Sequence, residues 1–141
     1  MKKKNKKKGD KGMSFYKKKL DKVFALFIRL KETKEVNGKR EGQCITCRNI
    51  KPFEELDAGH FISRVYLKYR WSPINVHIQC RYCNRFREGE KDKYFLWMIK
   101  KYGQKKVEQM VKDKDIVVKL DIDWLKKEIK KYENKIKKLS T

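Results

Sequence analysis

Four cysteines in two Cys-x-x-Cys pairs constrain this chain more than any other feature. Cys44-Ile45-Thr46-Cys47 and Cys80-Arg81-Tyr82-Cys83 are separated by 32 residues, and they account for every cysteine in the chain. Two thiolates three positions apart on a tight turn supply half of a tetrahedral zinc site, so the two pairs supply a whole one. Two disulfides or four free buried thiols are the alternatives. Disulfides suit a secreted chain, and no signal peptide opens this one, so the reading is structural zinc in a reducing, cytoplasmic setting. The wide gap between the pairs leaves room for an inserted element.

Composition says what else the fold needs. Apolar residues make up 39% of the 141 positions and charged residues 41%. That leaves a small core, which a metal staple would reinforce. No apolar run approaches the roughly 20 residues of a membrane span. The net charge of +22, from 40 Lys and Arg against 18 Asp and Glu, favours polyanions, nucleic acid foremost. Such attraction is salt-sensitive and blind to sequence.

Residues 1–13 form the first segment, and the first eleven hold seven lysines. This is expected to be a disordered basic arm, either a solvated tail or a strand that tracks phosphates. Residues 14–40 are read as an N-terminal helix, capped by Ser14 and running to about Glu35. Leu20, Val23, Phe24, Phe27, Ile28 and Lys31 recur there at steps of three and four. Asn37-Gly38 ends the helix or turns the chain.

Residues 41–90 are the zinc-bound core. Gln43 to Arg48 make the first knuckle, and Ile50 to Leu56 a loop or short helical turn. Leu56 to Ile62 reads as a strand with Leu56, Ala58, His60 and Ile62 on one face. Asp57, Gly59 and Phe61 take the other. The loop that follows mixes Arg64, Tyr66, Lys68, Tyr69, Arg70 and Trp71. Those rings could stack on bases or fold back as a minor core. Asn75 to Gln79 is the second strand, and Cys80 to Cys83 opens a helix that runs through Arg87 and stops at Gly89.

Residues 91–141 are a helical extension. A helix capped by Asp92 ends at Gly103, and Gln104 to Met110 forms another. Ile122, Leu125, Ile129, Tyr132, Ile136 and Leu139 make a heptad seam over residues 121–139. The seam either packs on the domain or zips two copies into a homodimer.

The run Cys-x-x-Cys, Asp57-Ala58-Gly59-His60-Phe61-Ile62-Ser63-Arg64, Asn75-Val76-His77-Ile78-Gln79-Cys80 and Cys83-Asn84 resembles an HNH (ββα-metal) endonuclease core. More narrowly it is similar to the phage NinG/Rap recombination family, from about Phe15 to about Met110. The resemblance implies an α+β fold: a small zinc-stapled, treble-clef-like ββα-metal core with flanking helices. It implies an endodeoxyribonuclease that nicks branched recombination intermediates such as Holliday junctions inside a bacterial host cell.

By the same resemblance His60 is the general base and Asn75 braces the loop that holds it. Asn84 supplies an oxygen to a catalytic Mg²⁺ or Mn²⁺. Asn84 could equally cap the following helix. Many HNH cores carry an acidic residue directly before the histidine, where this chain has Gly59. Asp57 is the expected substitute carboxylate, provided that a bulge at Ala58-Gly59 brings it round to the face of His60. His77 is either a phosphate or metal contact or a polar strand residue. Arg64, Arg81, Arg85 and Arg87 are candidate phosphate clamps. A zinc-stabilised nucleic-acid-binding module without catalysis would share the charge and the cysteines.

Overall fold

The computed structural model describes residues 11 to 140. Most of the expected basic arm, residues 1 to 10, lies outside them. Helix α1 (Met13–Lys31) starts one residue before Ser14, with Gly12 at its N-cap. Its apolar steps bury Leu20, Phe24, Phe27 and Ile28 along one side.

The helix stops at Lys31, short of the Glu35 expected from its periodicity. The chain instead forms a hairpin of β1 (Lys34–Val36) and β2 (Lys39–Gln43). Asn37 and Gly38 both take positive φ, 51° and 80°, at its tip. That is the requirement of a tight hairpin turn whose twist matches its strands. Strand β2 also pairs with β3 (Ile50–Pro52), so a three-stranded antiparallel sheet leads into and out of the first Cys-x-x-Cys.

A single 3₁₀ turn, Phe53–Glu55, then delivers the chain to the central hairpin. Strands β4 (Leu56–His60) and β5 (Val76–Cys80) pair in unbroken antiparallel register, from Leu56 opposite Cys80 to His60 opposite Val76. The bulge expected at Ala58-Gly59 does not form, because each of these residues has a partner across the ladder. Asp57 and His60 therefore keep opposite faces.

Beyond β5 the chain makes one π-helical turn, Tyr82–Phe86, in place of the longer helix expected. The Gly89 amide donates back to the Cys83 carbonyl at 2.8 Å, with Gly89 at φ 83°, and this closes the turn. Helix α2 (Lys91–Tyr102) begins after Glu90, with Asp92 in its first turn rather than at its cap. Gly103 ends α2 and leads into α3 (Gln104–Asp113). Helix α4 (Ile122–Leu139) is capped by the Asp121 side chain, which accepts from the Trp124 amide at 2.7 Å.

Apolar groups gather on both faces of the central hairpin. On one face Leu56, Val76 and Ile78 pack with Leu20, Phe24 and Ile28 of α1 and with Leu125, Ile129 and Tyr132 of α4. The Tyr132 ring meets Phe24 at 5.0 Å and Phe27 at 5.1 Å. The heptad seam is thus occupied by α1 of its own chain, the first of its two readings. On the other side Ile45, Ile62, Tyr94, Met98, Val107 and Met110 form a second cluster under α2 and α3. No helix among the described residues is long and apolar enough to cross a membrane.

Candidate functional site

The two cysteine pairs converge at the ends of β2 and β5. The Sγ atoms of Cys44, Cys47, Cys80 and Cys83 all lie within 4.8 Å of one another. Cys47 and Cys80 are 3.8 Å apart, sulfur to sulfur, and all four cysteines are free. A disulfide would need a separation of about 2.05 Å. A tetrahedron with Zn–S bonds of about 2.3 Å has an edge close to the distance found.

The local backbone fits the same role. The Arg48 amide returns to the Cys44 carbonyl at 3.0 Å, and Arg48 takes φ 67°, which makes a knuckle of the first pair. The Cys83 amide points at the Cys80 sulfur at 3.4 Å. Burial pushes the Cys80 thiol up to about 12 and also raises Cys83. At Cys44 burial works upward too, but hydrogen bonds from the Thr46 hydroxyl and neighbouring backbone amides outweigh it and hold the thiol at about 6. Four such sulfurs ionise together only beside a compensating cation. The cluster can hold a structural metal ion, zinc being the one that suits four thiolates.

A cleft of about 600 Å³ is walled by α1, β4 and the start of the loop after it, the π-helical turn and the first residue of α2. His60 and Asn84 both line it, together with Arg64, Arg85, Glu88 and Lys91. His60 sits at the end of β4, and its Nε2 is 2.9 Å from the Arg70 carbonyl. A carbonyl only accepts, so Nε2 carries the proton and Nδ1 is left as the basic nitrogen. Nδ1 has no protein partner among the described residues. Burial lowers the pKa of this imidazole from its ordinary value, against the smaller opposing pulls of the Arg70 carbonyl and Asp21. The ring is therefore neutral near pH 7.

Several side chains hold the support of His60 in place. Arg70 forks onto both oxygens of Asp21, at 3.0 and 2.6 Å, and Trp71 Nε1 donates to the same carboxylate at 2.9 Å. Asn75 is fully buried. Its Oδ1 accepts from the Ile62 amide at 2.7 Å, and its Nδ2 donates to the carbonyls of Ile62 and Tyr69 at 3.0 and 3.1 Å. It ties both ends of the loop between the strands. Lys91 Nζ donates to the His60 carbonyl and, at 3.0 Å, to that of Phe61.

A family model described as the bacteriophage Lambda NinG protein matches residues 1–141. The chain belongs to the NinG family. Comparison with curated proteins finds no match, and comparison with solved structures finds none either.

In this NinG-family chain some expected site residues sit elsewhere. Asp57 does not line the cleft. Its carboxylate accepts a forked pair from Arg85, at 2.9 and 3.1 Å, and a further bond from Asn84 Nδ2 at 3.1 Å. It orients Asn84 rather than offering a free oxygen of its own, because the unbulged strand turns it away from His60. His77, read as a possible phosphate contact, is 3% exposed. Its Nδ1 meets Glu32 Oε2 at 2.7 Å, and its Nε2 lies 2.9 Å from the Ile74 carbonyl and 3.0 Å from the Tyr102 hydroxyl. It is a core residue joining α1, β5 and α2.

The arginines divide as well. Arg64 and Arg85 border the cleft, Arg87 pairs with Glu90 at 2.7 Å, and Arg81 donates to the Glu54 carbonyl at 2.7 Å. Sequence reasoning did not single out Glu88, an exposed residue that lines the cleft and whose carboxylate has no partner among the described residues. Glu88 sits at φ 52° just past the π-helical turn, a local geometry no periodic pattern announces.

Gly59 also has a reason in the fold. A Cβ on it would overlap the Gln79 amide oxygen and lie 2.8 Å from Gln79 Cδ. Gln79 is fully buried and donates to the Gly89 carbonyl at 2.8 Å and to Thr46 Oγ1 at 3.2 Å. The side chain before His60 is absent because Gln79 fills its place.

Proposed function

We propose that this chain is a metal-dependent endodeoxyribonuclease of the HNH type acting on branched DNA. One observation carries the reading: the imidazole of His60 is anchored by Nε2, leaves Nδ1 without a partner among the described residues, and belongs to the same cleft that Asn84 and Glu88 line. In this reading His60 Nδ1 takes a proton from the water that attacks a phosphodiester. The Arg70 carbonyl keeps the ring in the required tautomer throughout, and burial keeps it unprotonated between turnovers.

The cleft offers a divalent cation two oxygen donors with no other partner among the described residues, Asn84 Oδ1 and the Glu88 carboxylate. Bound Mg²⁺ or Mn²⁺ would offset charge on the phosphate and on the leaving oxygen. Asp57 holds Asn84 Nδ2, so the amide oxygen is the end left for a cation. Arg64 and Arg85 stand at the rim, where their guanidinium groups suit neighbouring phosphates. The net charge of +22 supports a polyanionic substrate, and the family resemblance supports a branched one.

The test is a nicking assay on a four-way junction with Mg²⁺ or Mn²⁺. A folded His60→Ala protein should cut about 10²–10⁴-fold more slowly than the parent. Equal rates would reject the assignment. Junction binding with no cutting under any divalent ion would leave a zinc-stabilised binding module.

A further inference from the structure

Two aromatic rings on the π-helical turn have no role in the chemistry above. Tyr82 is 59% exposed and Phe86 75%, the highest values for any aromatic residue among those described. Their rings lie 6.3 Å apart and within 30° of parallel. By contrast Trp71 is buried, and Tyr66 and Tyr69 pack against the second apolar cluster. The loop that looked suited to base stacking has turned its rings inward, and the short turn after the second knuckle has turned its rings out.

Leaving two large rings in water forgoes the stabilisation that their burial would bring. The turn that holds them is firmly tied. Cys80 and Cys83 anchor its start at the metal cluster, and the Gly89 amide closes its end on the Cys83 carbonyl. A π-helical turn brings positions four apart side by side, which is how Tyr82 and Phe86 come to stack. Arg81, Arg85 and Arg87, all exposed, interleave with them along the same turn. Asn84 and Arg85, between the two rings in sequence, line the cleft.

We propose that Tyr82 and Phe86 form a stacking platform for unpaired nucleobases of the DNA strand whose backbone enters the cleft. The proposal rests on the reading of the cleft as a phosphodiester site. Paired bases in a duplex are already stacked and offer no open face. Bases at a branch or in a single-stranded segment do, and every base has a face that an aromatic ring can cover. The interleaved arginines each hold one protein acceptor, the Glu54 carbonyl, Asp57 and Glu90, yet stay exposed with further N–H donors for the phosphates of the same strand, a pairing of rings and cations that fits nucleic acid better than an apolar protein surface.

The experiment compares two fluorescent DNAs of equal length by anisotropy, with no divalent ion added and the chain loaded with zinc. One DNA is fully paired; the other carries a central run of unpaired thymines. The parent should bind the second at least about tenfold more tightly. Tyr82→Ala/Phe86→Ala should lose that preference and bind the paired DNA as the parent does. Tyr82→Trp/Phe86→Trp should keep it. The dependence of affinity on salt should be the same in all three proteins, since no charge is changed.

A parent without preference would overturn the platform, and so would an alanine variant that keeps the preference or weakens on both DNAs alike. Because cutting is not measured, the two readings fail separately. A chain that prefers unpaired bases but never nicks keeps the platform and loses the nuclease. A chain that nicks through His60 but ignores unpaired bases does the reverse.

Discussion

Replacing Gly59 by alanine opposes two physical effects of different sign. Gly59 lies in the regular part of β4 without a positive φ, so its backbone suits any residue. On conformational entropy alone alanine should stabilise the protein by about 0.4–1 kcal/mol. The packing says otherwise. The new methyl would overlap the Gln79 amide oxygen and come within 2.8 Å of Cδ and 3.0 Å of Cγ. Gln79 is fully buried, so it cannot swing into solvent.

Overpacking of this kind costs about 2 kcal/mol. Displacing the amide from the Gly89 carbonyl and Thr46 Oγ1 costs about 1 kcal/mol for each bond. The net is a loss of about 3 kcal/mol, or a melting temperature lower by about 10 °C for a chain of this size. Urea denaturation followed by circular dichroism at a fixed zinc concentration measures it. A cycle with Gln79→Ala checks the cause, because room made at position 79 should shrink the loss from Gly59→Ala. A Gly59→Ala protein as stable as the parent, or more so, would refute the steric account.

Three further outcomes are expected. Cys83→Ser should remove bound zinc and unfold the central hairpin, since structural zinc contributes on the order of 10 kcal/mol to small modules; unchanged melting with the metal absent would contradict this. The acid limb of kcat/KM for nicking should fall below pH 6.5, the ordinary histidine value. Burial disfavours the charged ring of His60, so the neutral base survives to lower pH, and an inflection above 6.5 would be the wrong sign. Glu88→Gln should raise the Mg²⁺ concentration needed for half-maximal cutting by about tenfold or more without altering melting, as the side chain is exposed; an unshifted Mg²⁺ titration would remove Glu88 from the site.

The parts of the fold that follow from spacing were legible in the sequence. Two Cys-x-x-Cys pairs have little to do but meet, and they do meet. The strands β4 and β5 were placed within two residues of their observed limits, steps of three and four found α1 and α4, and Gly103 marked the break between α2 and α3. What escaped was decided by one or two residues against the trend of their neighbours. The apolar steps of α1 run smoothly toward Glu35, and only Asn37-Gly38 reports the hairpin that replaces its last turn. The missing bulge left Asp57 facing Arg85, a pairing between strand and turn that no local pattern encodes. His77 and Trp71 look polar or basic in context, yet Glu32 at the C-cap of α1 and Asp21 on α1 draw them inward from more than forty residues away, while Tyr66 and Tyr69 pack against the second apolar cluster. Gln79 acts through tertiary contacts, and Glu88 owes its place to the left-handed residue past the π-helical turn; neither carried a signal along the chain.

The embrace of α1 by α4 sets an order on how the molecule comes into being. Phe24 and Phe27 emerge early in synthesis but find the Tyr132 ring only after more than a hundred further residues have been made. Until then a greasy stripe on the first helix stays wet, beside the very wall that shapes the cleft. A nascent or clipped chain lacking its last helix should therefore be sticky and inert, so that the cleft takes its finished form only when α1 and α4 have closed on each other.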